Sequence, residues 1–138
     1  MYNHQTQIRV RYSETDRMNY VYYGNYAQYF EVARVEALRN LGISYKELEE
    51  VDGVMLPVLD YQISFKKPAF YDEVLTIKTK IPKLPQARIY FEYETFNEKQ
   101  ELINTASTTL VFVNKNSGKP IIAPSRFLNL MEPYFREH

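Results

Sequence analysis

The spacing of apolar residues changes twice along this chain, and this change is the strongest constraint on its fold. From Tyr26 to Leu41 apolar side chains recur every three or four residues, which is typical of one face of an α-helix, and Gly42 favours the end of that helix. A strand is predicted before the helix, over residues 6–11. Four more strands are predicted after it, over residues 54–65, 74–81, 87–96 and 101–114. Shorter helices are predicted over residues 44–50, with Ser44 as the cap, and over 124–131.

This order predicts an α+β fold. Consecutive strands joined by short loops favour a largely antiparallel sheet. A helix of about 16 residues is about 24 Å long, enough to lie across such a sheet. We therefore expect a single domain over residues 1–138, in which a curved antiparallel sheet wraps around one long central helix.

The outer face of that sheet would be left uncovered by the helix. Tyr90, Tyr93, Val111 and Val113 make the strands apolar on both faces. A partner subunit would shield such a surface, so we expect a homodimer.

The available residue types exclude several kinds of site. The chain has no Cys and only two His, His4 and His138, which lie near its ends, where disorder is expected. Zinc sites, disulfide scaffolds, thiol nucleophiles and serine–histidine triads are therefore disfavoured. An enzyme built from this chain would use carboxylates, hydroxyls, Lys, Arg or backbone amides, and we expect no metal.

Charge and hydropathy limit the partners. Seventeen Lys and Arg balance seventeen Asp and Glu, which argues against nucleic acid or a charged membrane surface as a partner. The longest apolar stretches, such as residues 110–113, are far too short to span a bilayer, and the first ten residues do not resemble a leader. We expect a cytoplasmic protein.

Asp16 is the main candidate for a chemical role. In the loop over residues 13–25, Asp and Thr are most often turn or capping residues. However, Asp16 lies too far ahead of the helix to cap it, and the residues between, such as Met18 and Val21, are too apolar for a freely solvated loop. The loop should therefore pack against the protein and place Asp16 in partly apolar surroundings, where a carboxylate is a stronger base.

The residues around Asp16 resemble those of a known enzyme family. The matching positions are Tyr12, 14–16, Met18, 21–23, Asn25, Tyr26, 29–31, Ala33 and Arg34, followed by Pro57, Val58, Ile63, Phe65, Pro68, Ala69 and Asp72. In this pattern the chain is similar to acyl-CoA thioesterases of the 4-hydroxybenzoyl-CoA thioesterase type, which have the hot-dog fold. The resemblance implies hydrolysis of acyl-CoA to a free acid and CoA, with no cofactor because CoA is part of the substrate. It also implies dimers, often paired into tetramers, with active sites at the dimer interface.

The resemblance assigns roles by position. Asp16 matches the catalytic aspartate, which would act as a general base on water or as a nucleophile that forms a mixed anhydride. Tyr23 matches the position at the N-terminus of the long helix whose backbone N–H points at the thioester carbonyl. Free N–H groups and the helix dipole at such an end stabilise an oxyanion. Tyr22 and Asn25, in the same block, are candidate substrate-binding residues.

Further positions concern CoA and departures from the family pattern. Lys83 and Arg88, near strand ends, are candidates for contact with the phosphates of CoA.

Many relatives have His where this chain has Tyr23, so the site must work without an imidazole or use the phenol as a donor. Many have Gly where this chain has Asn19, and since Asn tolerates a left-handed backbone, we expect the turn to be kept.

Other functions remain open from the sequence. An acyl carrier protein thioesterase would use the same site and differ only in the carrier contact. A hot-dog dehydratase or hydratase usually needs a His, and this chain has none in its interior. A non-catalytic module that binds acyl ligands would need Asp16 only for structure, so the position of Asp16 before the helix favours the enzyme.

Overall fold

The computed structural model describes residues 1–136, and Glu137 and His138 lie outside the described residues. Within this range the elements follow one another as β1 Tyr2–Arg9, α1 Asn25–Asn40, α2 Tyr45–Glu50, β2 Val54–Met55, β3 Val58–Phe65, β4 Val74–Ile81, β5 Arg88–Phe96, β6 Leu102–Val111, β7 Val113–Asn114 and α3 Ser125–Met131. The predicted helices and strands are confirmed, with the strand predicted over 54–65 divided into β2 and β3 and the strand predicted over 101–114 divided into β6 and β7. None of the helices described is long and apolar enough to cross a membrane.

An antiparallel sheet with the strand order β1-β4-β5-β6-β3 packs against α1. Ala33 and Ala37 of α1 are fully buried, and their small side chains let the helix approach the strands closely. Beside them the ring of Phe30 stacks on Tyr93 of β5, with ring centroids 4.5 Å apart. Such close packing against one face of a sheet gives the predicted α+β architecture, which is confirmed.

The strands β3 and β4 are consecutive in sequence but are not neighbours in the sheet. β3 pairs with β6 and β4 pairs with β1, and both pairings are antiparallel, as the sequence predicts. Residues 66–73 instead cross the end of the sheet and bond to the segment after β1, with Asp72 N–H donating to the carbonyl of Val10 (3.0 Å). This crossing segment forms one wall of the site described below.

The N-terminal strand begins earlier than the sequence pattern indicates. Tyr2 is buried, and its hydroxyl donates to the carbonyl of Ala37 near the end of α1 (2.7 Å). His4 is half-buried within β1, opposite Thr79 of β4. The expectation of disorder at His4 is therefore wrong, because the anchored Tyr2 orders the strand up to its first residue.

The outer face of the sheet is not the apolar surface that the sequence predicts. Tyr93 lies on the inner face and is only 1% exposed. Lys78 and Lys80 of β4 stand opposite Glu94 and Glu92 of β5, so polar and charged side chains occupy the middle of the outer face. Alternating strands place their apolar residues on the inner face of the sheet, which α1 of the same chain already covers.

Apart from Tyr90 on β5, the exposed large apolar side chains of the five-stranded sheet lie on its β3 edge. Val58, Leu59, Tyr61 and Phe65 of β3 are all more than one-third exposed. β3 is the last strand in the sheet, so its outer backbone edge has no neighbour among residues 1–136. Unpaired backbone together with exposed apolar side chains makes β3 the edge most prone to pair with another chain.

Candidate active site

The loop before α1 folds back on itself as a narrow hairpin around Asp16. The N–H of Asp16 donates to the carbonyl of Tyr20 (2.8 Å), and the N–H of Asn19 donates to the carbonyl of Asp16 (3.0 Å). Asn19 takes a left-handed backbone, φ 66°, as predicted for this position. The hairpin is attached to the crossing segment because Val21 N–H donates to the carbonyl of Ala69 (2.8 Å). The prediction that this loop packs against the protein is confirmed.

The two oxygens of the Asp16 carboxylate have different surroundings. Oδ1 accepts hydrogen bonds from the N–H groups of Met18 (2.8 Å) and Tyr20 (3.3 Å). Oδ2 accepts none from the residues that the structure describes. The backbone therefore fixes the orientation of the side chain through one oxygen and leaves the other free to react.

The N-terminus of α1 presents unpaired backbone donors. Gly24, the residue that precedes the helix, has no side chain to cap it, and Asn25 N–H donates back to Tyr22 (2.9 Å). Among residues 1–136, the N–H groups of Tyr23 and Gly24 have no acceptor. Free N–H groups at the positive end of a 16-residue helix can stabilise a negatively charged oxygen.

Gly24 is a residue that the sequence analysis does not single out. Its backbone, φ −66° and ψ −23°, is one that any residue adopts. A Cβ atom there would, however, lie 2.7 Å from Cε2 of the Tyr22 ring. Any side chain at this position would therefore have to displace that ring, which no spacing in the sequence reveals.

Asp16 and Tyr23 line the same cavity, which has a volume of about 400 Å³. The lining is mostly aromatic and apolar, with two lysines at the end of β3: Asp16, Tyr20, Val21, Tyr23, Tyr26, Phe65, Lys66, Lys67 and Pro68. A larger concavity of about 730 Å³ lies over the outer face of the sheet, away from Asp16, between polar side chains such as Lys80 and Glu92. The smaller cavity is the better candidate site, because it combines an apolar wall with a few convergent polar groups.

Two further residues of this cavity carry polar groups that the sequence analysis did not assign. Burial, and then the charge of Glu73, raises the pKa of Tyr26 above that of an ordinary tyrosine, so its phenol is protonated and can donate a hydrogen bond. Lys66 lies near Ser64 (3.4 Å), and no carboxylate of the described part of the chain is within 4.0 Å of its ammonium group. Lys67, in contrast, is paired with Glu101. In the sequence, Tyr26 belongs to the block that matches the family, and Lys66 directly follows the strand predicted over residues 54–65.

The other predicted site residues lie outside this cavity in the single chain. The Tyr22 ring is exposed and lies against the Tyr23 ring, with centroids 4.6 Å apart. The Asn25 side-chain amide donates to the carbonyl of Glu14 (2.8 Å). Lys83 lies in the loop between β4 and β5, and Arg88 is the first residue of β5. This end of the sheet is near the C-terminus of α1 and is opposite to the end that carries Asp16. Their binding roles stay predictions.

Comparisons with known proteins identify the family of this chain. Residues 10–130 match the family model described as the thioesterase-like superfamily. A putative acyl-CoA thioesterase of Bacillus subtilis, YneP, is 37% identical over 121 residues, which are 88% of this chain and 87% of that protein.

Solved structures show the same fold. A DHNA-CoA thioesterase from Staphylococcus aureus superposes with a TM-score of 0.90 at 41% identity, covering 98% of this chain and 90% of that chain. A 4-hydroxybenzoyl-CoA thioesterase mutant, solved with 4-hydroxybenzoyl-CoA, has a TM-score of 0.85 at 22% identity and covers 94% of this chain and 99% of that chain. The hot-dog fold and the thioesterase resemblance predicted from the sequence are confirmed.

Proposed function

This chain belongs to the thioesterase-like superfamily, and we propose that it hydrolyses acyl-CoA thioesters to a free carboxylic acid and CoA. One observation carries this proposal: a carboxylate with one free oxygen, on Asp16, lines the same cavity as Tyr23, whose N–H is one of two free donors at a helix N-terminus. A thioester placed between them would meet a base or nucleophile on one side and oxyanion donors on the other.

Two chemical routes fit this arrangement. In the first, Oδ2 of Asp16 takes a proton from water, the oxygen of that water attacks the carbonyl carbon, and the C–S bond breaks to release CoA thiolate. In the second, Oδ2 itself attacks the carbonyl carbon and expels the thiolate, and water then hydrolyses the mixed anhydride. In both routes the carbonyl oxygen becomes negative and is stabilised by the N–H groups of Tyr23 and Gly24. A thiolate leaves readily without a side-chain acid, which suits a site that has no imidazole.

The exposed edge of β3 supports a homodimer as the active form. Antiparallel pairing of β3 with the same strand of a second copy would satisfy both backbone edges and cover the exposed Leu59, Tyr61 and Phe65. Such pairing reverses the direction of the second sheet, so the end that carries Lys83 and Arg88 in one copy would lie on the side of Asp16 in the other. CoA bound at Asp16 could then extend its phosphates past Lys66 towards these residues.

The release of free thiol from a panel of short-chain, long-chain and aromatic acyl-CoAs tests the proposed reaction. We expect Asp16→Asn to lower kcat by about 100-fold to 10,000-fold, because Asn can neither take a proton nor form an anhydride. Asp72→Asn is a matched control, since Asp72 is exposed, does not line the cavity, and has a left-handed backbone that Asn tolerates.

The outcomes separate the alternatives. Full turnover by Asp16→Asn would rule out the proposed role of Asp16. Binding of acyl-CoA without cleavage would favour the non-catalytic binding module, and cleavage only of acyl groups on acyl carrier protein would identify the other carrier. In a single turnover in ¹⁸O-labelled water, with enzyme in excess, label in Asp16 would identify the anhydride route, because label can enter Asp16 only by attack of water on the aspartyl carbon of an anhydride.

A further inference from the structure

We infer that Glu14 is a positioning residue for this site: it holds Asp16 and the free N–H groups of Tyr23 and Gly24 in a fixed relation to each other. The inference rests on the proposed function of the site. Glu14 does not line the cavity and is only 6% exposed, so it has no direct contact with a substrate there. It acts through two sets of hydrogen bonds, one made by its side chain and one by its backbone carbonyl.

The Glu14 carboxylate joins the end of β1 to α1. Oε1 accepts hydrogen bonds from the N–H of Arg11 (2.8 Å) and the hydroxyl of Tyr29 on α1 (2.9 Å). Oε2 accepts two from the Arg11 guanidinium, at 3.1 Å and 2.9 Å. Both oxygens are therefore fully used, and the loop that starts at Glu14 cannot move relative to α1 without breaking a buried, charge-assisted contact.

The Glu14 carbonyl oxygen holds the residues on either side of Tyr23 and Gly24, whose N–H groups are the free donors. It accepts hydrogen bonds from the N–H of Tyr22 (2.8 Å) and from the side-chain amide of Asn25 (2.8 Å). Tyr23 and Gly24 are the two residues between these contacts. Glu14 is also only two residues before Asp16, so a single residue sets the distance between the reactive carboxylate and the oxyanion donors.

The charge of Glu14 is retained at neutral pH. Burial by itself would raise the pKa of this carboxyl, but the hydrogen bonds from Arg11 and Tyr29 outweigh it and hold the pKa below that of an ordinary glutamate. An ionised carboxylate that is so buried depends on every one of its partners. Loss of one partner should therefore loosen the loop rather than be absorbed by solvent.

A matched pair of Tyr→Phe variants separates positioning from general stabilisation. Tyr29→Phe removes the hydroxyl bonded to Glu14. Tyr2→Phe removes an equally buried hydroxyl bonded to the same helix at its other end, where it donates to Ala37 and accepts from Asn40 (3.0 Å). Tyr29→Phe loses one hydrogen bond of α1 and Tyr2→Phe loses two, but only Tyr29→Phe changes the support of the loop.

We expect kcat to fall about tenfold in Tyr29→Phe and about 100-fold in Glu14→Gln, as small displacements of reacting groups do. KM and the affinity for a non-hydrolysable thioether analogue should stay within about twofold, and Tyr2→Phe should keep kcat within about twofold. Wild-type kcat in both Tyr29→Phe and Glu14→Gln would overturn the inference. An equal fall of kcat in Tyr2→Phe and Tyr29→Phe would also overturn it. If Glu14→Gln does not fold, Tyr29→Phe decides.

Hydrogen exchange gives a readout that does not depend on turnover. In Tyr29→Phe the amides of residues 15–24 should exchange faster than in wild type, while in Tyr2→Phe they should be unchanged. Equal exchange in the two variants would overturn the positioning role. If the wild-type protein cleaves no thioester, the proposed function fails, and the exchange measurement alone still decides whether Glu14 holds the loop.

Discussion

Two threonines on the inner face of the sheet should respond in opposite directions to the same substitution by valine. Thr95 on β5 is fully buried, and its hydroxyl has no hydrogen-bond partner among residues 1–136. Thr108 on β6 is 2% exposed, and its hydroxyl shares a hydrogen bond of 2.6 Å with the hydroxyl of Tyr93. Valine has nearly the same shape as threonine, so the substitution removes the hydroxyl and little else.

The magnitudes follow from these surroundings. A buried polar group without a partner costs about 1–3 kcal/mol, so we expect Thr95→Val to raise the free energy of unfolding by about 1 kcal/mol. Thr108→Val removes an existing hydrogen bond. Among residues 1–136, the Tyr93 hydroxyl then keeps only Arg34 Nη1 as a hydrogen-bond partner, at 3.2 Å. We expect that variant to lower the free energy of unfolding by about 1.5 kcal/mol. The two variants should thus differ by about 2.5 kcal/mol.

Urea unfolding monitored by circular dichroism, at one fixed protein concentration, measures the difference. A change of 1 kcal/mol should also shift the melting temperature by about 3–5 °C for a domain of this size. A loss of stability in Thr95→Val would refute the reasoning. Asn104, opposite Thr95 on β6, also has side-chain atoms without partners, and an ordered water that joins the two residues would produce that result.

Four further predictions concern the site and the exposed edge. Tyr23→Phe should keep kcat within about threefold, because the proposed role of Tyr23 uses its backbone N–H; a larger loss of thiol release would assign a role to the phenol. Gly24→Val should lower kcat by at least about tenfold in the same assay, because its Cβ displaces the Tyr22 ring beside the free donors. Glu14→Gln should lower the free energy of unfolding at neutral pH. The pKa of Glu14 is lowered in the folded state, so its ionised carboxylate stabilises the fold above the ordinary pKa of glutamate. This stabilisation is lost as the pH falls through the folded-state pKa, and the difference between wild type and Glu14→Gln should shrink over the same range. Urea unfolding of both proteins from about pH 7 to about pH 3 measures this difference. Leu59→Lys should shift the protein from dimer to monomer in sedimentation velocity, and an unchanged dimer would exclude the β3 edge as the interface.

Local patterns were sufficient to predict most of the elements. The spacing from Tyr26 to Leu41 predicts α1, and the alternation over residues 74–81 predicts β4 with the bounds that the structure has. The order of strands was not predictable from neighbours in sequence. β3 lies at the far edge because β4, β5 and β6 pair through short hairpin loops, whereas residues 66–73 are long enough to cross the end of the sheet.

The candidate site was predictable in part. Asp16 was identified from the loop that contains it and Tyr23 from the resemblance to the thioesterase family, and the structure places both in one cavity. Lys66 and Tyr26 join that cavity from a strand end and a helix face, and their convergence depends on how β3 packs beside α1. Gly24 and Glu14 gain their importance from single contacts, with the Tyr22 ring and with Arg11 and Tyr29, which sequence spacing does not show.

The sequence by itself determined the fold class and the family and identified Asp16 as the candidate carboxylate, because periodicity, turn residues and a specific motif are all local properties of the chain. Only the tertiary structure decided which oxygen of Asp16 is free, which backbone N–H groups lack acceptors, and which strand edge is open to a second copy. These properties depend on hydrogen bonds between segments far apart in the chain. A donor or acceptor is free only when no other segment of the folded chain places a partner within hydrogen-bond distance of it.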